Sequence, residues 1–301
     1  MTDIASNRTG PGLAIRRTAS DDRFLFHTRD PDGIVSVHSV DREDCPIVAQ
    51  FETFSQTFCQ ASPCMGDPNL LAVPCRQDKH AMVVDIRDRI PVTEIPIQSH
   101  GMLTSLAMST CSGTGRPILA CGMESGSIFF HDFASTNQSL KVESKLSKDP
   151  ILAMDLAPST SNAVVAIAGM AGDAAEEQEL PVSQQGRVAL LKASCDPTIP
   201  NWNVRVRARI STCSTNDDAL DGKPGISICR FQPGDGRLWA VGGWDHRVRL
   251  FERSTGKPMA ILRGHTTSVN ALDWAPDSNR SGLLASSGGG DSIYVWQCFS
   301  K

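Results

Sequence analysis

"PGISICRFQPGDGRLWAVGGWDHRVRLFE" (Pro224–Glu252) reads as three strands joined by tight turns. Its runs "ISICRF", "LWAVGG" and "RVRLF" are separated by clusters of Gly, Pro and Asp. Short runs bounded by such residues mark strands rather than helices. Inside it, "GGWDHRVRLF" (Gly242–Phe251) sets Asp245 beside His246, as a catalytic pair or as the turn of a hairpin. Neighbours on a tight turn generally point apart. The expectation is therefore a turn, with Asp245 bonded to turn amides and His246 facing solvent.

The same hairpin recurs along the chain. Its versions are "RFLFHTRD…GIVSVHSV", "NLLAVPCR…AMVVDIRD", "PILACGME…SIFFHDF", "NAVVAIAG…RVALLKAS", "LWAVGGWD…RVRLFER" and "GLLASSGG…SIYVWQC". Most have a further strand-like run before them, such as "MLTSLAMS", "PILAMDLAPS" or "SVNALDWAPD". The residues near the third-strand ends are His38, Asp85, His131, Leu191, Phe251 and Trp296, separated by 47, 46, 60, 60 and 45 positions. A four-stranded unit of roughly 40–45 residues is the period of a propeller blade. A lone sheet cannot bury both faces, and radial stacking covers each face with its neighbour.

Two insertions account for the long gaps: residues 171–186 between the second and third strands of unit four, and 212–225 between units four and five. Unit six stops at its third strand. "GLAIRRT" (Gly12–Thr18) is either the strand that completes unit six or the first strand of unit one. The expectation is a flexible N-terminus over 1–11 and a single all-β propeller domain over 12–301, with about six recognisable blades.

Composition narrows the function. The formal net charge is -4, whereas nucleic-acid binders carry a basic excess, so no direct nucleic-acid partner is expected. No apolar run reaches the roughly 18 residues needed to span a bilayer, and "MTDIASNRTGPG" shows no signal-peptide core. Ten cysteines form no CxxC pair, which suits reduced, buried thiols in an intracellular chain, Cys59 and Cys64 among them. G-x-S-x-G, H-E-x-x-H and G-x-x-x-x-G-K-[ST] are all missing, and the seven histidines are scattered. His38 and His131 read as packed, bonded histidines rather than metal ligands. No enzyme, cofactor or metal is expected.

Surface chemistry offers two candidate binding features. The insertions carry Asp173, Glu176, Glu177 and Glu179, then Asp217, Asp218 and Asp221, which read either as two solvated loops or as an acidic patch that would suit a basic partner. "NVRVRARI" (Asn203–Ile210) reads as a rim strand with Arg205, Arg207 and Arg209 on one side, guarding an edge or meeting an acidic partner.

Unit six, "GHTTSVNALDWAPDSNRSGLLASSGGGDSIYVW" (Gly264–Trp296), resembles a WD repeat. The resemblance implies a bonded chain of His265, one of Ser286 and Ser287, Asp291 and Trp296. Asp291 stands one place later than the family's turn Asp, whose slot holds Gly290. Asp245 keeps the family spacing before Phe251, and Asp132 follows His131 as the Asp of the "WD" pair would. The stretch "PGI…GWDHRVRLF" is similar to the guanine-nucleotide-binding-protein β-like family, which includes the fungal ASTRA-associated WD-repeat protein. That resemblance spans about Arg23 to Trp296 and implies a seven-bladed propeller whose first blade has no counterpart here.

Through the resemblance, the expected function is a non-catalytic scaffold. It would belong to an ASTRA-type assembly linked to chromatin remodelling and to chaperoned maturation of phosphatidylinositol-kinase-like kinases, in the nucleus, the cytoplasm or both. The alternative is a G-protein β-type signalling subunit. A Gβ that binds Gγ resembles a propeller preceded by a coiled-coil helix, and residues 1–20 show no heptad pattern.

Overall fold

A computed structural model of the chain describes residues 16–19, 24–29, 33–39, 46–55, 59–75, 80–97, 101–110, 115–133, 142–145, 150–159, 163–170, 185–194, 209–214, 225–233, 237–275, 282–290 and 292–298. Every regular element among them is a strand.

Blade one is β1 (Arg16–Ala19), β2 (Phe24–Arg29), β3 (Ile34–Ser39) and β4 (Ile47–Glu52). Blade two is β5 (Ser62–Met65), β6 (Asp67–Cys75), β7 (His80–Asp85) and β8 (Ile90–Pro96). Blade three is β9 (Leu103–Thr110), β10 (Pro117–Met123), β11 (Ser127–Asp132) and β12 (Val142–Lys145). Blade four is β13 (Ile151–Ser159), β14 (Ala163–Met170), β15 (Gln185–Ser194) and β16 (Arg209–Ser214). Blade five is β17 (Ile226–Phe231), β18 (Leu238–Gly243), β19 (Arg247–Glu252) and β20 (Pro258–Arg263). Blade six has β21 (Val269–Trp274), β22 (Leu283–Gly288) and β23 (Ile293–Gln297).

Within each blade the strands run as an antiparallel meander in chain order. The first strands of successive blades touch one another from β1 through β5, β9, β13 and β17 to β21, so the blades stack radially with their first strands innermost. β5 even pairs in parallel with β9, Cys64 opposite Met108, which joins blades two and three into one eight-stranded sheet.

The core lies between blades, as stacked sheets require. Val35 and Phe51 of blade one meet Leu71 and Val84 of blade two. Trp239 and Phe251 of blade five meet Ala153 and Ala157 of blade four. On its other face blade five buries Val248 and Leu250 against Leu272 and Trp274 of blade six. Each such aliphatic side chain contributes about 1.5–3 kcal/mol when fully covered. Middle strands covered on both faces read as continuous apolar runs. All six residues of β18 are buried, whereas the outer β20 alternates.

The first strands of blades three to six each open with a β-bulge, at Thr104, Leu152, Ser227 and Asn270. A bulge turns one extra side chain out of the ladder. In blade three, Thr104 Oγ1 lies 2.7 Å from the Ile151 carbonyl of blade four. In blade five, the Ser227 hydroxyl donates in the same way to the Val269 carbonyl of blade six. These hydroxyls clasp neighbouring blades at their inner strands.

The structure refines boundaries read from the sequence. β1 pairs with β2, Arg16 opposite His27, so the latter part of "GLAIRRT" is the first strand of blade one. The described part of the outer strand of blade four is Arg209–Ser214, which includes Arg209 and Ile210 of "NVRVRARI"; 203–208 lie outside the described residues. Arg209 pairs with Leu190, and Ser214 with Gln185. The insertions shorten in consequence: Gln185 and Gly186 belong to β15, and Thr212–Ser214 to β16.

Candidate functional site

The signature turn between β18 and β19 is a locked structural unit. Asp245 and Arg249 form a two-pronged ion pair, with Arg249 Nη1 3.0 Å from Asp245 Oδ1 and Nη2 2.5 Å from Oδ2. Both side chains are buried, at 9% and 5% exposure. This corrects the expectation that Asp245 bonds turn amides. The guanidinium forks onto both carboxylate oxygens, a stronger arrangement than two amide bonds. His246 takes a left-handed φ of 65°, as a tight turn requires, and the carboxylate of Asp245 is engaged by Arg249 instead.

Glycines make room for this pair. A Cβ on Gly243 would collide with Asp245 Oδ1. A Cβ on Gly225 would stand 2.7 Å from the Trp244 ring, and Trp244 N donates to the Gly225 carbonyl at 2.9 Å. "PGI" and "GWDHR" are therefore two halves of one packed unit, although nearly twenty positions separate them. Ser268, just before β21, donates to the Trp244 carbonyl at 3.3 Å and stitches the turn to blade six.

Beside it, blade six holds a polar relay. Trp296 Nε1 donates to Ser286 Oγ at 2.7 Å, and Ser286 Oγ lies 2.7 Å from His265 Nε2. The Ser286 hydroxyl thus bridges the indole N–H of Trp296 and the imidazole of His265. Burial pushes the His265 pKa below the ordinary value, and His246 nearby pushes the same way. Tyr294 packs edge-on against His265 at 4.6 Å and donates to the Gly264 carbonyl at 2.8 Å. Of the two adjacent hydroxyls, Ser286 is the relay member, and Asp291 lies outside the described residues.

The remaining positions fall as follows. Phe251 occupies the strand-end aromatic slot and stacks on Trp239 at 4.2 Å. Asp132 ends β11 opposite Ile118. His38 is buried, and His131 packs edge-on against Phe133 at 4.7 Å. Cys59 and Cys64 sit in the core between blades two and three, and burial pushes the Cys64 thiol up to about 12. Among the described residues no group of three or more His, Cys, Asp or Glu could hold a metal. Asp173, Glu176, Glu177, Asp217, Asp218, Arg205 and Arg207 lie outside the described residues, and Arg209 opens β16.

The strands that bracket the acidic segments are described. Met170 ends β14 opposite Arg187, and Gln185 opens β15 opposite Ser214, the last residue of β16. Both acidic segments thus leave from one end of blade four. In blade five the same end, between second and third strands, carries the Trp244–His246 turn.

Sequence reasoning missed Arg249, Ser268 and the bulge hydroxyls. The last had a visible signal: Thr104 in "MLTSL" and Ser227 in "GISIC" share one place in the repeat.

Comparison with known proteins agrees with this architecture. The family described as "WD domain, G-beta repeat" matches residues 256–297, the outer strand of blade five followed by blade six. Mouse guanine nucleotide-binding protein subunit beta-like protein 1 is 24% identical over 235 residues, covering 76% of this chain and 60% of that protein. ASTRA-associated protein 1 of Schizosaccharomyces pombe is 31% identical over 65 residues, 22% of this chain and 17% of that one. The chain spans three fifths or less of the length of these relatives. The crystal structure of Chaetomium thermophilum Raptor matches with a TM-score of 0.63 at 16% identity, over 93% of this chain and 23% of that chain, a likeness of fold. The chain is a β-propeller that carries a WD repeat at residues 256–297, with distant similarity to the mouse and fission-yeast proteins.

Proposed function

We propose that the protein is a non-catalytic scaffold that assembles other proteins on the loop face of blades four to six. One observation carries this reading. The two acidic segments, 171–184 and 215–224, are anchored at the same end of blade four, next to the locked turn of blade five. The groups there that could perform chemistry are engaged internally: Asp245 by Arg249, and His265 by Ser286. What such a face offers a partner is shape and charge.

Asp173, Glu176 and Glu177 with Asp217 and Asp218 would meet a basic partner, and Arg205, Arg207 and Arg209 an acidic one. The relatives' names suggest the setting. The likeness to an ASTRA-associated protein supports membership in an ASTRA-type assembly, tied to chromatin remodelling and kinase maturation, in the nucleus, the cytoplasm or both.

Affinity purification of the tagged chain from its own cells, read by mass spectrometry, tests this. Recovery of kinase-chaperone or remodelling subunits supports the assignment. A Gα–Gγ pair would move it to the signalling class instead. Deleting residues 174–183 should lower partner recovery without unfolding the chain; unchanged recovery would remove the acidic face from the account.

A further inference from the structure

In each blade the end where the second strand turns into the third is also the end where the chain passes to the next blade. In blade one, Thr53, just after β4, donates its amide to the Gly33 carbonyl before β3 at 3.0 Å. In blade three, Glu124, in the turn between β10 and β11, donates its amide to the Met102 carbonyl before β9 at 2.9 Å. These contacts lie on the same face of the ring as the Trp244–Gly225 contact of blade five.

On that face Phe54 is built to point outward. Its φ is 52°, in the left-handed region that bulky residues rarely enter, and it is 64% exposed. Its two neighbours, Thr53 and Ser55, are buried. The Thr53 hydroxyl donates to the Gly33 carbonyl at 2.5 Å, and the Ser55 amide donates to the Thr53 hydroxyl oxygen at 3.4 Å. Gly33 makes room: a Cβ there would stand 2.9 Å from the Ser55 carbonyl oxygen. Clasping residues 53 and 55 inward forces residue 54 out. A costly conformation imposed by buried neighbours marks functional positions, and an aromatic ring held rigidly in solvent is a preorganised anchor.

At the next junction Met102 is 44% exposed, and its amide donates to Glu124 Oε2 at 3.4 Å. Glu52 is exposed two residues before Phe54. Each apolar residue therefore has a carboxylate beside it. By sequence, the segment joining β2 to β3 adds Asp30 and Asp32, and the one joining β6 to β7 adds Arg76, Asp78 and Lys79, so the balance is acidic.

We propose that Phe54 and Met102, with Glu52 and Glu124, form a docking surface for a basic segment of a protein partner, one that carries apolar residues among its lysines or arginines. The proposal rests on the scaffold reading and gives it a second contact, on blades one to three. The carboxylates select the partner: they attract a basic polypeptide and repel nucleic acid and anionic lipid, while Phe54 and Met102 enter its apolar positions.

The test uses the full chain and two labelled amphipathic peptides of equal apolar content, one of Lys and Leu and one of Glu and Leu, with affinity read by fluorescence anisotropy. The Lys/Leu peptide should bind, more weakly as salt rises, and the Glu/Leu peptide should not. Phe54→Asn should weaken binding at least about ten-fold. Phe54→Tyr, which keeps the ring, should bind as the parent does. Glu52→Lys combined with Glu124→Lys should weaken binding and flatten its salt dependence. Phe54→Asn should melt no lower than the parent, because Asn tolerates the left-handed conformation. Four results would each overturn the proposal: no binding of the Lys/Leu peptide, equal binding of both peptides, an affinity that Phe54→Asn leaves unchanged, or a melt of Phe54→Asn well below the parent's, which would make the ring a packing residue. Binding lost on deletion of 174–183 but kept in Phe54→Asn would move the site to the acidic segments, which overturns this surface and leaves the scaffold reading standing.

Discussion

At Asp245 and Arg249 the geometry decides what the signature turn is for. A carboxylate and a guanidinium buried together are tolerable only as a pair, and removing one leaves an uncompensated charge. Arg249→Met should therefore cost about 3–5 kcal/mol of stability, measured by urea denaturation. The double variant Asp245→Asn with Arg249→Met should cost less than the single, because no buried charge remains; equal losses would show that Arg249 matters through packing alone. The relay in blade six behaves differently, since it is joined by hydrogen bonds rather than by an ion pair. Ser286→Ala leaves Trp296 Nε1 and His265 Nε2 without the partner they share, which should cost about 1–3 kcal/mol. His265 also gives this blade a pH response. Its folded pKa lies below the ordinary 6.5, so its contribution is complete above that value and is lost as pH falls through the lowered one. The melting temperature should therefore drop on mild acidification, and His265→Gln should flatten that drop. A Gln variant with the wild-type pH profile would assign the response to another group.

At the level of strands, the inner β-bulges link one blade to the next. Thr104 and Ser227 each send a hydroxyl to the first carbonyl of the following blade, and Gly242 permits the close approach. A Cβ there would stand 2.7 Å from Val269 Cγ1. Ser227→Ala should loosen blade six from blade five, costing about 0.5–1.5 kcal/mol and raising amide exchange in β21. Unchanged exchange in β21 would leave the hydroxyl without a clasping role. Most strands were legible in the sequence because turn clusters punctuate them and middle strands are continuously apolar. The third-strand residues His38, Asp85, His131, Leu191, Phe251 and Trp296 all fall in third strands. The bulges were missed because one extra residue leaves an apolar run looking unbroken, and only the shared place of Thr104 and Ser227 in the repeat marks them. Arg209 and Ile210, the end of the alternating stretch at 203–210, fall in the outer strand of blade four opposite β15, while nothing in "STCS" announced its continuation to Ser214. Gly225 and Trp244 were read together as a signature, but their contact depends on two loops meeting in space.

Across the whole molecule, coupling runs along the stack. Blade five touches blades four and six through separate apolar clusters, and blades two and three share a sheet of their own. In such an array stability is nearly a sum of blade terms and nearest-neighbour interfaces, so a local injury spreads by steps. The site residues His265, Ser286 and Trp296 belong to blade six, whose packed neighbour is blade five. Weakening the relay should therefore release β21–β23 first, then β18 and β19, whose Val248 and Leu250 lose their cover. The eight-stranded sheet of blades two and three should be spared, since its core is built from residues such as Leu106, Leu119 and Phe129 far along the stack. Hydrogen exchange of Ser286→Ala against the parent chain checks this order. Faster exchange confined to blades five and six is the expected pattern. Equal acceleration in β6–β10 would mean that the propeller opens as one cooperative unit and that the interfaces between blades are stronger than the blades themselves.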